Sequence, residues 1–486
     1  METHSCGSRA NLIVNEGITS EVEQMATFVT GARFEALGLE TRQQLKIRIL
    51  DALGCGLGAL DSEPIRMIRG YINDLGNSGH CTLIGGGAAD MDRAALYNSA
   101  LIRYLDFNDS YLAKGETCHP SDNLGAILAA GEYIGATGRD LMTAVAVAYQ
   151  VQCRLCDVAP VRARGFDHTV QGAYAVAAGI SRILKLDRSK TANAIAISGT
   201  AFIALRVTRT GRLSHWKGLA YPNLAACCTR ATLLARRGIT GPLEVIEGEK
   251  GLMDAITGYF QISWPGQDLG CVGRTTIKKY NAEIHSQTAI EAVLTLLQRY
   301  RFSSTDVERV EVETFDVAYN IIGGGEEGDK TIVFTKEQAD HSLPYVIAVA
   351  ILDGRVMPEQ YEQDRIRRAD VQELLGKVSV RLNASFSERF PNEMPCRIKI
   401  ILKNGRALEQ QTKDYAGFFT QPMSWDMAIQ KFNEIATPHS SAAQRTAIAD
   451  AVANLECVSV RELMKCLATV GHNSGGSQVA DEHRES

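Results

Sequence analysis

The chain has 486 residues, of which 45% are hydrophobic and 22% are charged, so it can build a sizeable core and is too long for one ordinary domain. Its formal net charge of -5 provides no basic field of the kind that drives nucleic-acid binding. No apolar run reaches the roughly 18 residues that a membrane span requires, and the first residues lack a secretory signal pattern. We therefore expect a cytoplasmic protein that binds neither nucleic acid nor membrane and whose partner is a small molecule.

From about residue 20 to residue 260 the sequence predicts helices, because Ala-rich segments with the helical period alternate with Gly and with Asp, Ser or Thr caps. Several of these segments are rich in Ala and Gly on more than one face, which indicates close packing inside a bundle. The predicted helices cover residues 41–57, 124–133, 140–158, 170–184, 189–203 and 222–237. The short segment Cys81-Thr-Leu-Ile-Gly85 is typical of a small strand before a glycine turn.

The pattern changes near residue 273. Residues 307–315, 378–382 and 397–409 alternate apolar and polar side chains, which predicts strands. Asn404-Gly405 in the last of these segments is a favoured two-residue hairpin turn. Further helices are predicted at residues 286–299, 342–352, 423–436 and 442–455.

These elements predict a fold class that is mostly α with an α+β lid. An all-helical domain covers residues 12–273, and a smaller α+β domain, residues 274–417, is inserted near its C-terminal end. Residues 418–468 supply the last helices of the helical domain. The polar residues 469–486 are rich in Gly and Ser, and we expect them to form a disordered tail.

The segment Tyr104 to Asn123 places carboxylates, a hydroxyl and a histidine directly before an apolar run. Asp106 and Asp109 are three residues apart, so on a helical turn they would share a face, with Ser110 beside them. Paired carboxylates near a histidine can abstract and return protons, because mutual repulsion and burial raise one pKa. The same residue types also cap helices, so the spacing leaves catalysis and capping both open.

His168 lies in a second polar break, Gly165-Phe-Asp-His-Thr-Val-Gln, directly before an Ala-rich helix. The positive end of a helix dipole favours the neutral imidazole, which can act as a base. A solvated loop histidine is the alternative interpretation.

Basic side chains crowd the segment Leu205 to Gly218, where they surround two glycines and one Trp. In an acidic protein this cluster predicts a pocket for a di- or tricarboxylate, because Arg binds a carboxylate with two parallel hydrogen bonds. A solvated basic surface is the alternative. The residues concerned are Arg206, Arg209, Arg212, His215 and Lys217. A second cluster, Lys278, Lys279, Tyr280 and His285, lies at the predicted domain junction, where ligand clefts tend to form.

Several common site patterns are absent or incomplete. Cys153 and Cys156 have the CxxC spacing, but they fall within a predicted helix and no second CxxC or histidine pair has metal spacing. Gly85-Gly-Gly and Gly323-Gly-Gly lack the setting and the following Lys of a phosphate loop. We therefore expect no metal site and reduced thiols.

Seven pieces of the sequence together resemble a known family. They are Asp106-Phe-Asn-Asp-Ser, His119-Pro-Ser-Asp-Asn, Gly165-Phe-Asp-His-Thr-Val-Gln-Gly-Ala, Leu213-Ser-His-Trp-Lys-Gly, Lys278-Lys-Tyr, Ala339-Asp-His-Ser-Leu-Pro-Tyr and Gln421-Pro-Met-Ser-Trp. In this order they resemble the MmgE/PrpD family, which includes 2-methylcitrate dehydratases and cis-aconitate decarboxylases. They extend over nearly the whole chain. The resemblance implies a helical domain with an α+β lid, a homodimer, and catalysis without a metal or organic cofactor.

The resemblance also implies which residues act. The catalytic candidates are Asp106, His119, His168, Lys217, Lys278 and Tyr319, and Ser110, Arg206, Arg209, Arg212, His215 and Lys279 are candidates for substrate binding. Ser110 stands where relatives often have Thr, which preserves a hydroxyl. In decarboxylase-like members a Lys lies slightly earlier than Lys217, close to Arg212 or Leu213, so this sequence favours the dehydratase-like branch.

The resulting hypothesis is a metal-independent hydro-lyase for a hydroxy-tricarboxylate similar to 2-methylcitrate or citrate. Lys217, Lys278 and nearby arginines would bind carboxylates and stabilise an enolate-like transition state, while Asp106, His119 and His168 would share the base and acid work. Decarboxylation of cis-aconitate and epimerisation of an amino-dicarboxylate such as iminodisuccinate are alternatives within the family. An iron-sulfur hydro-lyase using Cys153 and Cys156, or a non-enzymatic binding protein, are remote alternatives.

Overall fold

The computed structural model describes residues 19–76, 79–211, 213–264 and 268–471. Arg212, one of the predicted substrate-binding residues, and residues 472–486 of the predicted tail lie outside the described residues.

The N-terminal part of the chain is a bundle of helices. Ser20 and Thr137 begin two of them with capping boxes, in which the side chain accepts from the third backbone N–H and an acidic side chain returns the bond. The helices are α1 (Glu21–Gly31), α2 (Leu39–Gly58), α3 (Glu63–Asp74), α4 (Met91–Tyr104), α5 (Leu124–Ile134), α6 (Gly138–Val158), α7 (Thr169–Ile183), α8 (Arg188–Ala201) and α9 (Trp216–Arg236). Two short hairpins, β1 (Cys81–Thr82) with β2 (Ala88–Ala89) and β3 (Tyr111–Leu112) with β4 (Thr117–Cys118), lie between them.

The second part of the chain folds around a four-stranded sheet in the order β6-β5-β7-β8. Its strands are β5 (Val307–Thr314), β6 (Val378–Leu382), β7 (Cys396–Leu402) and β8 (Ala407–Thr412). β5 pairs with β6 in parallel and with β7 antiparallel. Asn404-Gly405 forms the predicted β7–β8 turn, in which Gly405 adopts a φ of +83°. The helices of this part are α10 (Gln287–Tyr300), α11 (Asp316–Ile322), α12 (Lys336–Ala339), α13 (Leu343–Asp353), α14 (Gln363–Ile366), α15 (Ala369–Leu375) and α16 (Ala384–Ser387).

The last helices return to the first part of the molecule. They are α17 (Trp425–Ala436), α18 (Ala442–Ala453) and α19 (Val460–Ala468). One hydrophobic core contains buried residues from Val22 to Ile277 and from Met423 to Val470, together with Met357. The other contains residues from Tyr280 to Phe418, together with Leu112. The predicted fold class, a helical domain with a smaller α+β domain, is confirmed.

Two local predictions are wrong. The helix predicted at residues 222–237 begins earlier, at Trp216, and Pro222 lies inside it; proline usually marks the first turn of a helix. Asp106 and Asp109 do not share a helical turn, because α4 ends at Tyr104 and Asp106 has a left-handed φ of +53°. Across the described ranges, no helix is long and apolar enough to cross a membrane.

Candidate active site

The candidate site lies where the two hydrophobic cores meet. The helical domain supplies Asp106 and His119 from the excursion between α4 and α5, and His168 from the start of α7. The connection into the α+β domain supplies Lys278, and the turn between α12 and α13 supplies Asp340. Polar side chains from four separate segments are therefore buried together.

Asp106 occupies a strained position directly after α4. Its backbone N–H donates to the Arg103 carbonyl over 3.0 Å, which closes the last turn and leaves Asp106 in the left-handed region. Non-glycine residues adopt this region at a cost of order 1 kcal/mol, and such strain is concentrated at functional sites. The turn directs the carboxylate of Asp106 toward Lys278.

The carboxylate of Asp106 is surrounded by cations. Its Oδ1 lies 2.6 Å from Lys278 Nζ and 2.7 Å from a guanidinium nitrogen of Arg103, and its Oδ2 lies 3.5 Å from Lys217 Nζ. Lys278 also donates to the Asp106 carbonyl over 2.5 Å. Burial opposes ionisation, but Arg103, Lys278 and Lys217 hold the pKa of Asp106 well below its usual range. Asp106 is therefore a fixed anion and a poor base.

Lys217 extends this group behind Asp106. Its Nζ donates to Asp340 Oδ1 over 2.9 Å and lies 2.8 Å from His341 Nδ1. Burial lowers the pKa of Lys217, against the carboxylates of Asp340 and Asp106. The ion pairs of Arg103, Asp106, Lys217, Lys278 and Asp340 are called the Asp106 cluster below.

His119 is a buried histidine whose tautomer follows from the partners of its Nδ1. Its Nδ1 lies 2.9 Å from the Asp109 carbonyl and 3.1 Å from Ser110 Oγ. A carbonyl can only accept, so Nδ1 carries the proton and the lone pair belongs to Nε2. Burial, with help from Arg103 and Lys278, lowers the pKa of His119 well below its usual range. The imidazole is therefore neutral.

His168 has the same protonation state with a stronger partner. Its Nδ1 lies 3.2 Å from Asp167 Oδ1, and its buried Nε2 has no partner among the described residues. Arg209 also pairs with Asp167. Burial lowers the pKa of His168 to about 3, against the charge of Asp167. The ring centroids of His119 and His168 are 5.5 Å apart, and the rings meet edge to face. These two residues are called the histidine pair below.

The α+β domain contributes another carboxylate and histidine. Glu283 Oε1 lies 2.7 Å from His285 Nδ1, and the buried Nε2 of His285 has no partner in the described part of the chain. Burial raises and the His285 charge lowers the pKa of Glu283, with a net fall to about 2. His285 packs against Phe315 and Phe390, with ring centroids 5.6 Å away in each case.

These groups surround one small cavity of about 40 Å³. The basic groups that line it outnumber its carboxylates, which suits an anionic ligand. The lining residues are Arg103, Asp106, Thr117, His119, Arg162, His168, Arg206, Arg209, Lys278, Glu283, His285, Ile321, Glu327 and His341.

Five of the predicted site residues that the structure describes do not line this cavity; they are Ser110, Lys217, His215, Lys279 and Tyr319. Lys279 points elsewhere, with its Nζ 2.8 Å from Glu291 Oε2. His215 is exposed and lines a separate small cavity behind Asp106, together with Lys217. Tyr319 is half-buried in α11, and Ile321 of the same helix reaches the cavity instead.

Asp109 is buried in a structural role, but it caps neither α4, whose C-cap is Leu105, nor α5, whose N-cap is Asn123. Its Oδ2 accepts a hydrogen bond from Tyr149 over 2.8 Å, and its Oδ1 accepts from the Ser121 backbone over 3.1 Å. Ser110 is also fixed, by backbone hydrogen bonds with Thr276 in both directions. These bonds tie the His119 loop to the connection between the domains.

Cys153 and Cys156 lie in α6, as predicted, but the structure adds Cys118 and Cys271 to the same small buried cluster. Thiol hydrogen bonds link Cys118 to both residues of the CxxC pair and Cys271 to Cys153. Within the described ranges, Asp106, Asp340 and His341 are the one group whose three ligand atoms lie within 4.8 Å of one another. Because Lys217 already contacts all three, ammonium groups occupy the place of a cation there.

Sequence reasoning missed several residues that complete the site. Asp167 directly precedes His168, and Asp340-His341 lies inside one of the pieces that resemble the family, so a local signal existed for both. Arg103, Arg162 and Glu327 had no local signal, because each reaches the cavity only through tertiary packing.

Comparisons with known proteins agree with this architecture. The profile of the MmgE/PrpD N-terminal domain matches residues 23–265, and that of the MmgE/PrpD C-terminal domain matches residues 280–456.

Individual relatives have low sequence identity to this chain but match most of its length. The 2-methylcitrate dehydratase of Escherichia coli (strain K12) is 27% identical over 371 residues, which are 70% of this chain and 73% of the relative. The 2-methylcitrate dehydratase of Cupriavidus necator is 27% identical over 406 residues, 76% of this chain and 79% of the relative. The cis-aconitate decarboxylase of Mus musculus is 24% identical over 444 residues, 85% of this chain and 86% of the relative.

Proposed function

Because the chain belongs to the MmgE/PrpD family, we propose that it is a hydro-lyase that dehydrates a hydroxy-tricarboxylate similar to 2-methylcitrate. The observation that supports this most directly is the histidine pair: two buried neutral imidazoles line a cavity together with guanidinium and ammonium groups, and Nε2 of His168 has no partner among the described residues. Such a cavity can bind several carboxylates and remove a weakly acidic carbon-bound proton in the same place.

The Asp167 carboxylate favours His168 as the base. When His168 Nε2 takes a proton, the imidazolium that forms lies beside Asp167, 3.2 Å from its Nδ1. The corresponding partner of His119 Nδ1 is a neutral carbonyl at 2.9 Å. A carboxylate both fixes the tautomer and stabilises the charged ring, which is the role of the acidic member of a catalytic triad.

The Lys278 ammonium is the proposed electrophile and proton donor. Two of its three hydrogens bond to the carboxylate and the carbonyl of Asp106, so the third is free for a substrate oxygen. Asp106 thereby positions Lys278 and does not take the substrate proton. Lys278 and Arg103 stabilise the negative charge that develops on a substrate carboxylate as the proton leaves, and the departing hydroxyl takes its proton from Lys278.

The same site has one family alternative. A cavity that stabilises an enolate-like intermediate would also serve decarboxylation of cis-aconitate, and the mouse decarboxylase matches the largest share of this chain among the relatives given above. Epimerisation of an amino-dicarboxylate would use the histidine pair on the two faces of one carbon. Residue 213 is Leu, whereas decarboxylase-like members of the family have a Lys near this position, and this difference supports dehydration.

The decisive experiment supplies 2-methylcitrate, citrate and cis-aconitate isomers to the purified protein in D₂O and follows products by NMR. Dehydration predicts an alkene without carbon dioxide, formed at least about 10²-fold more slowly by the His168→Ala variant. Carbon dioxide from cis-aconitate would replace the proposal with decarboxylation, and deuterium incorporation without an alkene would replace it with epimerisation.

The setting of the reaction is part of the proposal. The family resemblance supports a homodimer that works without a metal or organic cofactor, and a 2-methylcitrate substrate would belong to propionate catabolism in the cytoplasm. Light scattering of the purified protein tests the dimer, and activity after treatment with a chelator tests metal independence.

A further inference from the structure

A glycine-rich loop of the α+β domain carries an acidic side chain into the cavity. The loop, residues 323–330, connects α11 toward α12, and Gly324 and Gly328 adopt positive φ angles of +103° and +86°. Such backbone angles favour glycine, because it has no side chain to clash in this conformation. Glu327 lies between these two glycines, and its side chain lines the cavity.

Glu327 pairs with an arginine of the other domain. Its Oε1 accepts a hydrogen bond of 2.8 Å from Arg206, and its Oε2 lies 3.9 Å from Lys330 Nζ. The side chains of Arg206 and Glu327 are only 15% and 11% exposed. This ion pair joins the glycine-rich loop to the segment before α9 in the lining of the cavity.

The carboxylate paired with Arg206 comes from a different domain than the carboxylates paired with the other arginines that line the cavity. Arg103, Arg162 and Arg209 pair with Asp106, Glu116 and Asp167, which all belong to the helical domain. Arg206 lies 4.0 Å from Asp167, and its close carboxylate comes from the α+β domain. Among these four arginines, Arg206 is therefore the one whose nearest carboxylate belongs to a loop of the other domain.

Building on the proposed function, we propose that Glu327 occupies the position of one substrate carboxylate and sets the substrate class of the site. The cavity is small, about 40 Å³, and Glu327 already pairs with Arg206 in it, so a substrate carboxylate that binds Arg206 must displace Glu327. A carboxylate that reaches Arg206 replaces the Glu327 carboxylate with a group of equal charge and geometry, and the loop withdraws. Ligands without a carboxylate at this position cannot make the exchange.

This exchange has a measurable cost in affinity, since an internal competitor reduces the apparent affinity by the fraction of molecules in which the site is free. Glu327→Gln removes the competing charge and retains the shape. Glu326→Gln is the matched control, because Glu326 is the exposed neighbour in the same loop and its substitution changes the charge equally.

The test measures binding of tricarballylate, a tricarboxylate with no hydroxyl to eliminate, by calorimetry. Glu327→Gln is expected to bind it about five-fold or more tightly than the wild type, consistent with loss of one partly buried ion pair, whereas Glu326→Gln stays within about two-fold. Unchanged or weaker binding by Glu327→Gln would overturn the proposal.

Hydrogen exchange of the wild-type protein provides the second measurement, which needs no variant to fold. Amides of residues 323–330 are expected to exchange faster when tricarballylate is bound, and slower or equal exchange would count against displacement of Glu327. Neither measurement uses turnover. A protein that shows both effects but no dehydration would lose the proposed reaction and keep this assignment.

Discussion

The Asp106 cluster and the histidine pair lie side by side at the same buried cavity, but the first consists of paired charges and the second of neutral rings. In the Asp106 cluster every charged group has an opposite charge within 3.5 Å. In the histidine pair burial keeps both rings neutral and leaves Nε2 of His168 without a partner among the described residues. The difference teaches a division of labour: the paired charges fix geometry, and the unpaired Nε2 of His168 remains free for proton transfer.

Loss of a ring from the histidine pair should have the largest effect. His168→Ala is expected to lower kcat by about 10²- to 10⁴-fold, the usual contribution of a positioned general base, with the circular dichroism spectrum unchanged. Steady-state kinetics on 2-methylcitrate provide the measurement, and His80→Ala, at an exposed histidine, is the control. Near wild-type turnover in both His168→Ala and His119→Ala would break the comparison.

A substitution in the Asp106 cluster should lower the stability of the protein as well as the reaction rate. Asp106→Asn leaves Lys278 and Arg103 buried without their anion, so the free energy of unfolding should fall by about 3–5 kcal/mol. Denaturant titration measures this loss. His168→Ala should cost less stability, because it removes a neutral ring, and a reversed order of the two variants would contradict the assigned roles.

The neutral state of His168 predicts a pH dependence of stability. The folded pKa of about 3 lies below the unfolded value of about 6.5, so between these pH values the unfolded chain binds one more proton. The free energy of unfolding should therefore fall as pH falls below about 6.5, by about 1.4 kcal/mol per pH unit from this residue. His168→Gln should flatten the profile between pH 6 and 5, and an unaltered slope would mean that the ring is already charged.

The cysteine cluster should have the smallest effect on activity. Cys153→Ala removes the central thiol of the group formed with Cys118, Cys156 and Cys271, and it should change kcat/KM less than about two-fold while costing about 1 kcal/mol of stability. Kinetics and thermal unfolding provide the two values. A loss of activity together with a loss of iron from the preparation would instead support the iron-sulfur alternative.

Sequence patterns were sufficient for the layout of the molecule and for the two histidines. The helical period, the alternating strands and Asn404-Gly405 are local signals, so the mostly α fold with an inserted α+β domain was predictable. His119 and His168 were predictable because each lies in a polar break before an apolar helix. The helical turn expected at Asp106 was wrong, because the ion pairs with Lys278 and Arg103 stabilise a left-handed conformation that spacing cannot indicate.

The pairing within the site required the three-dimensional structure. Lys278 and Lys279 are adjacent and chemically alike, but one reaches Asp106 and the other reaches Glu291. Glu327 and Arg206 are separated by 121 residues, and no local pattern connects them. The sequence therefore predicted which kinds of groups the site contains more accurately than which partner each group has.

Because Lys431 lies in α17, near the end of the chain, the site can be completed only late in synthesis. Its Nζ lies 2.6 Å from Asp51 and donates to the carbonyl of Phe107 over 2.9 Å, one residue after Asp106. On the ribosome, all the proposed catalytic groups emerge before residue 431, yet the buried anion Asp51 lacks this cation until α17 appears. A nascent chain stalled before α17 should therefore contain every proposed catalytic residue and still be inactive.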